Sequence, residues 1–212
     1  MSIFLDTANI DHAKAAKEFG WVRGITTNPI LLAKSENSVP DTLLQLAELN
    51  TGLLFYQLIA SCVEEMLKEA HLAKEIVGDQ LVLKIPPTEA GFQLIPLLPS
   101  ETPCCITAVY SVAQAVVARE VGVCYIAVYV NRATRLLGNG LKLLADMASV
   151  LKGSHTQVLA ASIKSPVEAS TAILSGADHL TLPFQVLRTL TYHELSEDAV
   201  DQFNSNGSGI QL

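Results

Sequence analysis

The chain has 212 residues, half of them hydrophobic and 17% charged, with a net charge of −7 spread along its length. That is enough apolar surface for one large core, and it argues against a disordered chain. It also argues against a nucleic-acid partner, which needs clustered Lys and Arg, and no run approaches the roughly 20 apolar residues that cross a bilayer.

In chain order, short apolar or β-branched runs alternate with longer helical patterns. The N-terminal MSIFLDTANID lacks the basic stretch and apolar run of a signal peptide and reads as a strand over 3–6. A helical pattern over 10–19 follows, then a strand over 22–26, the Asn28-Pro29 helix entry and a helix over 42–49. Strand 52–59 leads to helix 63–76, strand 81–85 to helix 89–98, and strand 104–107 to helix 109–120. Strand 124–129 leads to a helix over 136–151, and strand 157–162 to the Ser165-Pro166 cap and a helix over 166–174. Strand 179–182 precedes a short helix over 184–188, an amphipathic helix over 195–203 and the polar tail NSNGSGIQL.

The strands carry no period-two polar face, as expected of parallel strands covered on both sides. Eight alternating units in about 200 residues, without a Gly-rich first turn, point to an α/β fold closed as one (β/α)8 TIM barrel. Residues 1–194 form the expected barrel, and 195–212 an extra C-terminal helix and loose tail. Cys62, Cys104, Cys105 and Cys124 lack CxxC spacing. They read as small buried hydrophobes in a reducing cytoplasm, a zinc site being the alternative. No two of the five histidines stand at metal-ligand spacing, so no metal is expected and the histidines read as surface or structural.

The C-terminal rim of such a barrel holds the active site. Asp6, Thr26, Asn28, Gln57, Lys84, Thr107, Tyr129, Arg132, Ser162 and Lys164 all fall at or near expected strand ends. Lys84, inside LVLKIPP, is the central candidate. Desolvation favours the free amine, which is the form a Schiff-base nucleophile requires; a snorkelling or ion-paired lysine is the bland alternative. Asp6 could move a proton, or merely cap the following helix. Tyr129 could act as an acid or orient a water that Gln57 and Thr107 also hold; all three could equally be satisfied core polar groups. Arg132 and Ser162 suit a phosphate, and Lys164 reads as solvated.

The stretches LDTANI, GITTNP, LVLKIPPT, TAVYSVAQ, YVNR and LAASIKSP together resemble the small transaldolase family, which includes bacterial fructose-6-phosphate aldolases. The resemblance covers about 1–203. It implies a Schiff base on Lys84 and no cofactor. It assigns substrate hydroxyls and proton transfer to Asp6 and Asn28, a shaping role to Thr26, and the phosphate to Arg132 and Ser162. It also implies a cytoplasmic homo-oligomer, a pentamer or decamer, in which C-terminal helices reach neighbouring subunits. Within the family, glutamine on strand three with tyrosine on strand six resembles the aldolases, so Gln57 and Tyr129 imply cleavage or synthesis of fructose 6-phosphate. Transaldolase transfer in the pentose phosphate pathway is the alternative. Three features depart from the family: Thr134 stands where many relatives have aspartate, Arg135-Leu136-Leu137 replaces the usual polar loop, and the terminal NSNGSGIQL matches no family pattern. Two further readings stay open. One is a deoxyribose-phosphate type of aldolase using Lys164 as a second lysine; the other is a barrel that only binds sugar phosphates.

Overall fold

The computed structural model describes residues 1–210. Eight parallel strands close on themselves: β1 (Ser2–Asp6), β2 (Val22–Thr26), β3 (Leu53–Gln57), β4 (Leu81–Ile85), β5 (Cys104–Val109), β6 (Tyr125–Tyr129), β7 (Gln157–Ala161) and β8 (His179–Leu182). The ring shuts where β8 pairs with β1, Phe4 opposite Thr181 and Leu5 opposite Leu182. Around it lie α1 (Ile10–Lys17), α2 (Pro29–Leu32), α3 (Val39–Glu48), α4 (Val63–Val77), α5 (Glu89–Leu94), α6 (Val112–Glu120), α7 (Val130–Leu137), α8 (Gly140–Leu151), α9 (Pro166–Leu174), α10 (Phe184–Thr189) and α11 (Glu194–Asn206). The fold is therefore a (β/α)8 barrel with an added C-terminal helix.

Successive strand side chains point to opposite faces, which sorts the barrel into layers. Outward residues such as Leu5, Ile25, Leu54, Leu83, Ile106, Ile126 and Val128 join the belt of apolar side chains under the helices. Inward residues Phe4, Phe55, Val82, Cys105, Ala127 and Leu159 form a separate dry plug at mid-height. Below the plug His179 closes the floor: its Nδ1 accepts from the Ser2 N–H at 2.9 Å, and its Nε2 lies 3.0 Å from Gln157 Oε1. Two positions further along, five of these six strands present a polar inward residue, Asp6, Gln57, Lys84, Thr107 and Tyr129, while β7 presents Ala161.

Several boundaries differ from the sequence reading for physical reasons. β5 runs on to Val109 through an irregularity in its pairing with β6, with Ala108 in the left-handed region at φ 55°. α6 consequently starts at Val112, where Ser111 and Gln114 form a reciprocal capping box. The helix expected over 136–151 is two helices. VNRATRLL forms α7 directly after β6, and no capping side chain marks its start, Tyr129 making no cap hydrogen bond. Asn139 then caps α8. Asn9, not Asp6, caps α1 through the His12 N–H, which removes the capping role weighed for Asp6. Cys62 is exposed, against the expectation of a buried thiol, because it stands at the entry to α4; Cys104 and Cys105 are buried and all four thiols are free. The first residues of the expected loose tail, 204–206, are helical, and 211–212 lie outside the described residues.

Candidate active site

Lys84 is buried on β4, and its Nζ donates to the Thr27 carbonyl at 2.6 Å. The inward register that places Val82 in the plug places Lys84 one step above it. Among the described residues the ion pairs within 4.0 Å are Lys14–Asp11, Lys74–Asp79 and Lys142–Asp146, all on the surface, so no carboxylate holds the Lys84 ammonium at that range. The snorkelling and ion-paired alternatives therefore do not describe this side chain.

The amine opens into a cavity of about 310 Å³ whose walls include Asp6, Thr26, Asn28, Gln57, Tyr129, Arg132, Ser162, Lys164 and Thr181. Thr107, the remaining candidate, is fully buried behind the wall, its Oγ1 3.3 Å from the Tyr129 hydroxyl. Side chains from separate strand ends thus converge on one mouth, as barrel closure requires.

Asp6 accepts a hydrogen bond from Thr26 Oγ1 at 2.9 Å, and that hydroxyl also lies 2.5 Å from Thr181 Oγ1. Burial pushes the Asp6 carboxyl above its ordinary value of 3.8; Lys84, the Thr26 hydroxyl and Lys164 each partly offset the rise. A carboxyl so placed can exchange a proton nearer neutral pH than a solvated one. Asn28 spends its Oδ1 on the Ile30 and Leu31 N–H groups as the cap of α2, at 3.1 and 3.0 Å, leaving its amide N–H₂ for the cavity. Gln57 Oε1 is buried without a hydrogen-bond partner in a wall facing the amine, and such an atom calls for a water or a ligand hydroxyl.

On the opposite side Arg132 stands at the start of α7, its guanidinium 5.1 Å from the centroid of the Tyr129 ring. Ser162 leaves β7 in the left-handed region at φ 60°. A non-glycine residue there costs about 1 kcal/mol or more and, held by its surroundings, aims a hydroxyl at a site. Lys164 is exposed at the rim, as the sequence suggested.

Three contributors were not singled out from sequence. Thr181 secures Thr26. Glu168 accepts from the Lys164 N–H at 2.7 Å and from Asn131 Nδ2 at 3.3 Å, tying the β7 exit to α7. Tyr110 packs its ring against Tyr129 with centroids 6.1 Å apart. Tyr110 carried a local hint as an aromatic residue just past an apolar run, and Glu168 another as the last residue of the Ser165-Pro166-Val167-Glu168 capping pattern; Thr181 carried none.

A larger, open groove of about 680 Å³ adjoins across Asp6, lined by amide and charged side chains including Asn9, Lys14, Lys34 and Gln185. No lysine in its walls is buried, so the amine of Lys84 distinguishes the smaller cavity. Among the described residues no group of three or more His, Cys, Asp or Glu side chains converges as metal ligands would, and no helix is long and apolar enough to cross a membrane.

Likeness to known proteins extends over nearly the whole chain. A family model described as "Transaldolase/Fructose-6-phosphate aldolase" matches residues 3–209. Relatives named "Probable transaldolase" include those of Hydrogenobaculum sp., 34% identical over 206 residues (96% of this chain, 94% of the relative). That of Aquifex aeolicus is 32% identical with the same coverage, and that of Desulfitobacterium hafniense is 36% identical with 96% of each chain covered. Among solved structures, a mandelate oxidase variant superposes with a TM-score of 0.62 at 15% identity, over 92% of this chain and 68% of that one, which shows the barrel fold alone. A full-length family match on a closed barrel of this topology leads to one conclusion: the chain is a member of the transaldolase/fructose-6-phosphate aldolase family.

Proposed function

We propose that this enzyme is a class I, Schiff-base-forming fructose-6-phosphate aldolase. The observation that carries the reading is the buried Lys84 amine facing a cavity shared with Asp6, Gln57, Tyr129, Arg132 and Ser162. Lys84 Nζ adds to the ketone of fructose 6-phosphate, and loss of water gives an iminium. That cation withdraws electrons from the bond between the third and fourth carbons. Asp6 takes the proton of the fourth-carbon hydroxyl, directly or through a water, as the bond breaks. Glyceraldehyde 3-phosphate leaves, its phosphate held by the Arg132 fork and the Ser162 hydroxyl, and an enamine remains on Lys84. Asn28 and Thr26 hold the hydroxyls and the shape of the three-carbon unit. A water held by Gln57, Thr107 and Tyr129 protonates the enamine carbon, and hydrolysis releases dihydroxyacetone. The water expelled at the first step is returned at the last, so the reaction balances.

Transfer is the second reading, and the names of the relatives favour it. The same enamine then attacks an acceptor aldehyde, and the enzyme serves the pentose phosphate pathway as a transaldolase. The Gln57 and Tyr129 pair favours the aldolase.

Borohydride added with fructose 6-phosphate is expected to leave a reduced adduct on Lys84, read by mass spectrometry. Lys84→Ala is expected to lose essentially all turnover; an unmodified wild type or an active variant defeats the proposal. Steady glyceraldehyde 3-phosphate formation without any acceptor identifies the aldolase, and turnover only with erythrose 4-phosphate identifies the transaldolase. The reading also places the enzyme in the cytoplasm as a homo-oligomer. Leu195, Val200 and Phe203 on α11 are 71%, 51% and 71% exposed, a face a second copy would cover. Light scattering is expected to give a multiple of the 22.7 kDa chain mass, reduced when residues 195–212 are removed.

A further inference from the structure

Among the described residues Tyr129 is the only aromatic side chain in the wall of the Lys84 cavity, and its hydroxyl is weakly held. The 3.3 Å separation from Thr107 is long for a hydroxyl pair, whose usual range ends near about 3.0 Å. Two other groups fix the ring. Arg132 lies over its face, and the Tyr110 ring meets it edge-on at an interplanar angle of 73°. Arg132 is exposed, whereas Tyr110 is half-buried and its backbone N–H is held by Gln114 Oε1 at 3.0 Å. The Tyr110 edge is therefore the better anchored of the two contacts.

Local backbone geometry sets the place of Tyr110. The irregularity in β5 inserts Ala108 in the left-handed region, which costs about 1 kcal/mol or more in a non-glycine residue. It returns Val109 to the outer core and turns Tyr110 towards β6. The Gln114 carboxamide oxygen accepts from the N–H groups of both Tyr110 and Ser111, at 3.0 and 3.1 Å, locking that exit. No hydrogen bond of the Tyr110 hydroxyl is recorded among the described residues, so the ring rather than the hydroxyl is what the loop presents.

We propose that Tyr110 is a positioning residue for Tyr129, and that through it Tyr110 sets how the enamine divides between protonation and transfer to a second aldehyde. The proposal rests on the Schiff-base reading. In protonation the enamine carbon gains the equivalent of the proton lost from the substrate hydroxyl during cleavage. The nitrogen lone pair reforms the iminium, then water adds and the carbon–nitrogen bond breaks. In transfer the same carbon attacks an aldehyde, and the new alkoxide takes the proton instead. Both routes end with hydrolysis of an iminium on Lys84; only the first needs the water beside Tyr129 as proton donor to the enamine carbon.

The test is the ratio of sedoheptulose 7-phosphate to dihydroxyacetone formed from fructose 6-phosphate at a fixed erythrose 4-phosphate concentration. Tyr110→Ala and Tyr110→Leu, the second keeping apolar volume, are each expected to raise that ratio about 2- to 12-fold, the range an aromatic pair contributes. Tyr110→Phe is expected to restore the wild-type ratio. A merely structural residue would lower both products together, so an unchanged ratio in a variant that still forms the borohydride adduct overturns the proposal. Tyr129→Phe separates the two levels. If it raises the ratio while Tyr110→Ala and Tyr110→Leu do not, the positioning role fails alone; if it does not, the assignment of Tyr129 fails and the positioning role with it.

Discussion

Asp6 carries the clearest electrostatic signature in the cavity. Burial raises its carboxyl above 3.8, so the folded chain holds a proton that the unfolded chain releases at the same pH. Stability from this group is complete below the unfolded value and declines as pH rises through the folded one. Asp6→Asn is therefore expected to lose less melting temperature than wild type between pH 4 and 7, read by thermal denaturation. In the proposed mechanism the same ionisation supplies the base for cleavage. The acidic limb of the kcat profile is expected above the ordinary carboxylate range, and Asp6→Asn is expected to abolish it with about a 10²-fold or greater loss of kcat. Lys84, Asp6, Arg132 and Ser162 were legible as candidates because reactive side chains directly after apolar runs are conspicuous. Thr181 was not, because its task is a hydrogen bond to a residue 155 positions away.

Among the elements, α7 and α8 form the joint that carries Arg132. Thr134 donates to the Val130 carbonyl and accepts from the Gly140 N–H, both at 3.0 Å. It thereby stitches the first turn of α7 to the start of α8. Thr134→Val keeps the shape but leaves the buried Gly140 N–H without a partner, and is expected to cost about 1–3 kcal/mol in denaturant unfolding. Gly140 itself has no room for a side chain, since a Cβ there would lie 2.1 Å from the Val130 carbonyl oxygen. Gly140→Ala must push the two helices apart, and the expected result is a raised KM for phosphorylated substrate with a smaller change in kcat, because Arg132 moves and Lys84 does not. The strands were readable from sequence almost residue for residue, β2, β4 and β8 with their observed ends. α7 was not, because it follows β6 without an intervening turn or a capping side chain to mark where the strand ends and the helix begins.

The whole barrel divides its labour by height, with a sealed floor, a dry plug and a reactive mouth. His179 in the floor is 6% exposed, and burial, with the N-terminal ammonium, lowers its pKa below 6.5, while Asp178 partly offsets this. For a base lowered on folding, stability is complete above the unfolded value and falls as pH drops below it. Wild type is expected to lose unfolding free energy below pH 6.5, at no more than about 1.4 kcal/mol per pH unit from this group. His179→Gln is expected to flatten that slope while leaving the borohydride adduct on Lys84 intact, since the plug lies between floor and mouth.

Strand and helix alternation, caps and the unbroken apolar character of the strands are local properties, so the sequence by itself determined the barrel, its eight strands and the inward lysine on β4. Which side chains share one cavity was decided only by tertiary structure. Closure of β8 onto β1 brings Thr181 to Thr26 and Asp6, and the irregularity in β5 swings Tyr110 onto Tyr129. The physical reason is that inward register and ring closure couple residues from opposite ends of the chain, and no local pattern encodes a contact between partners it does not contain.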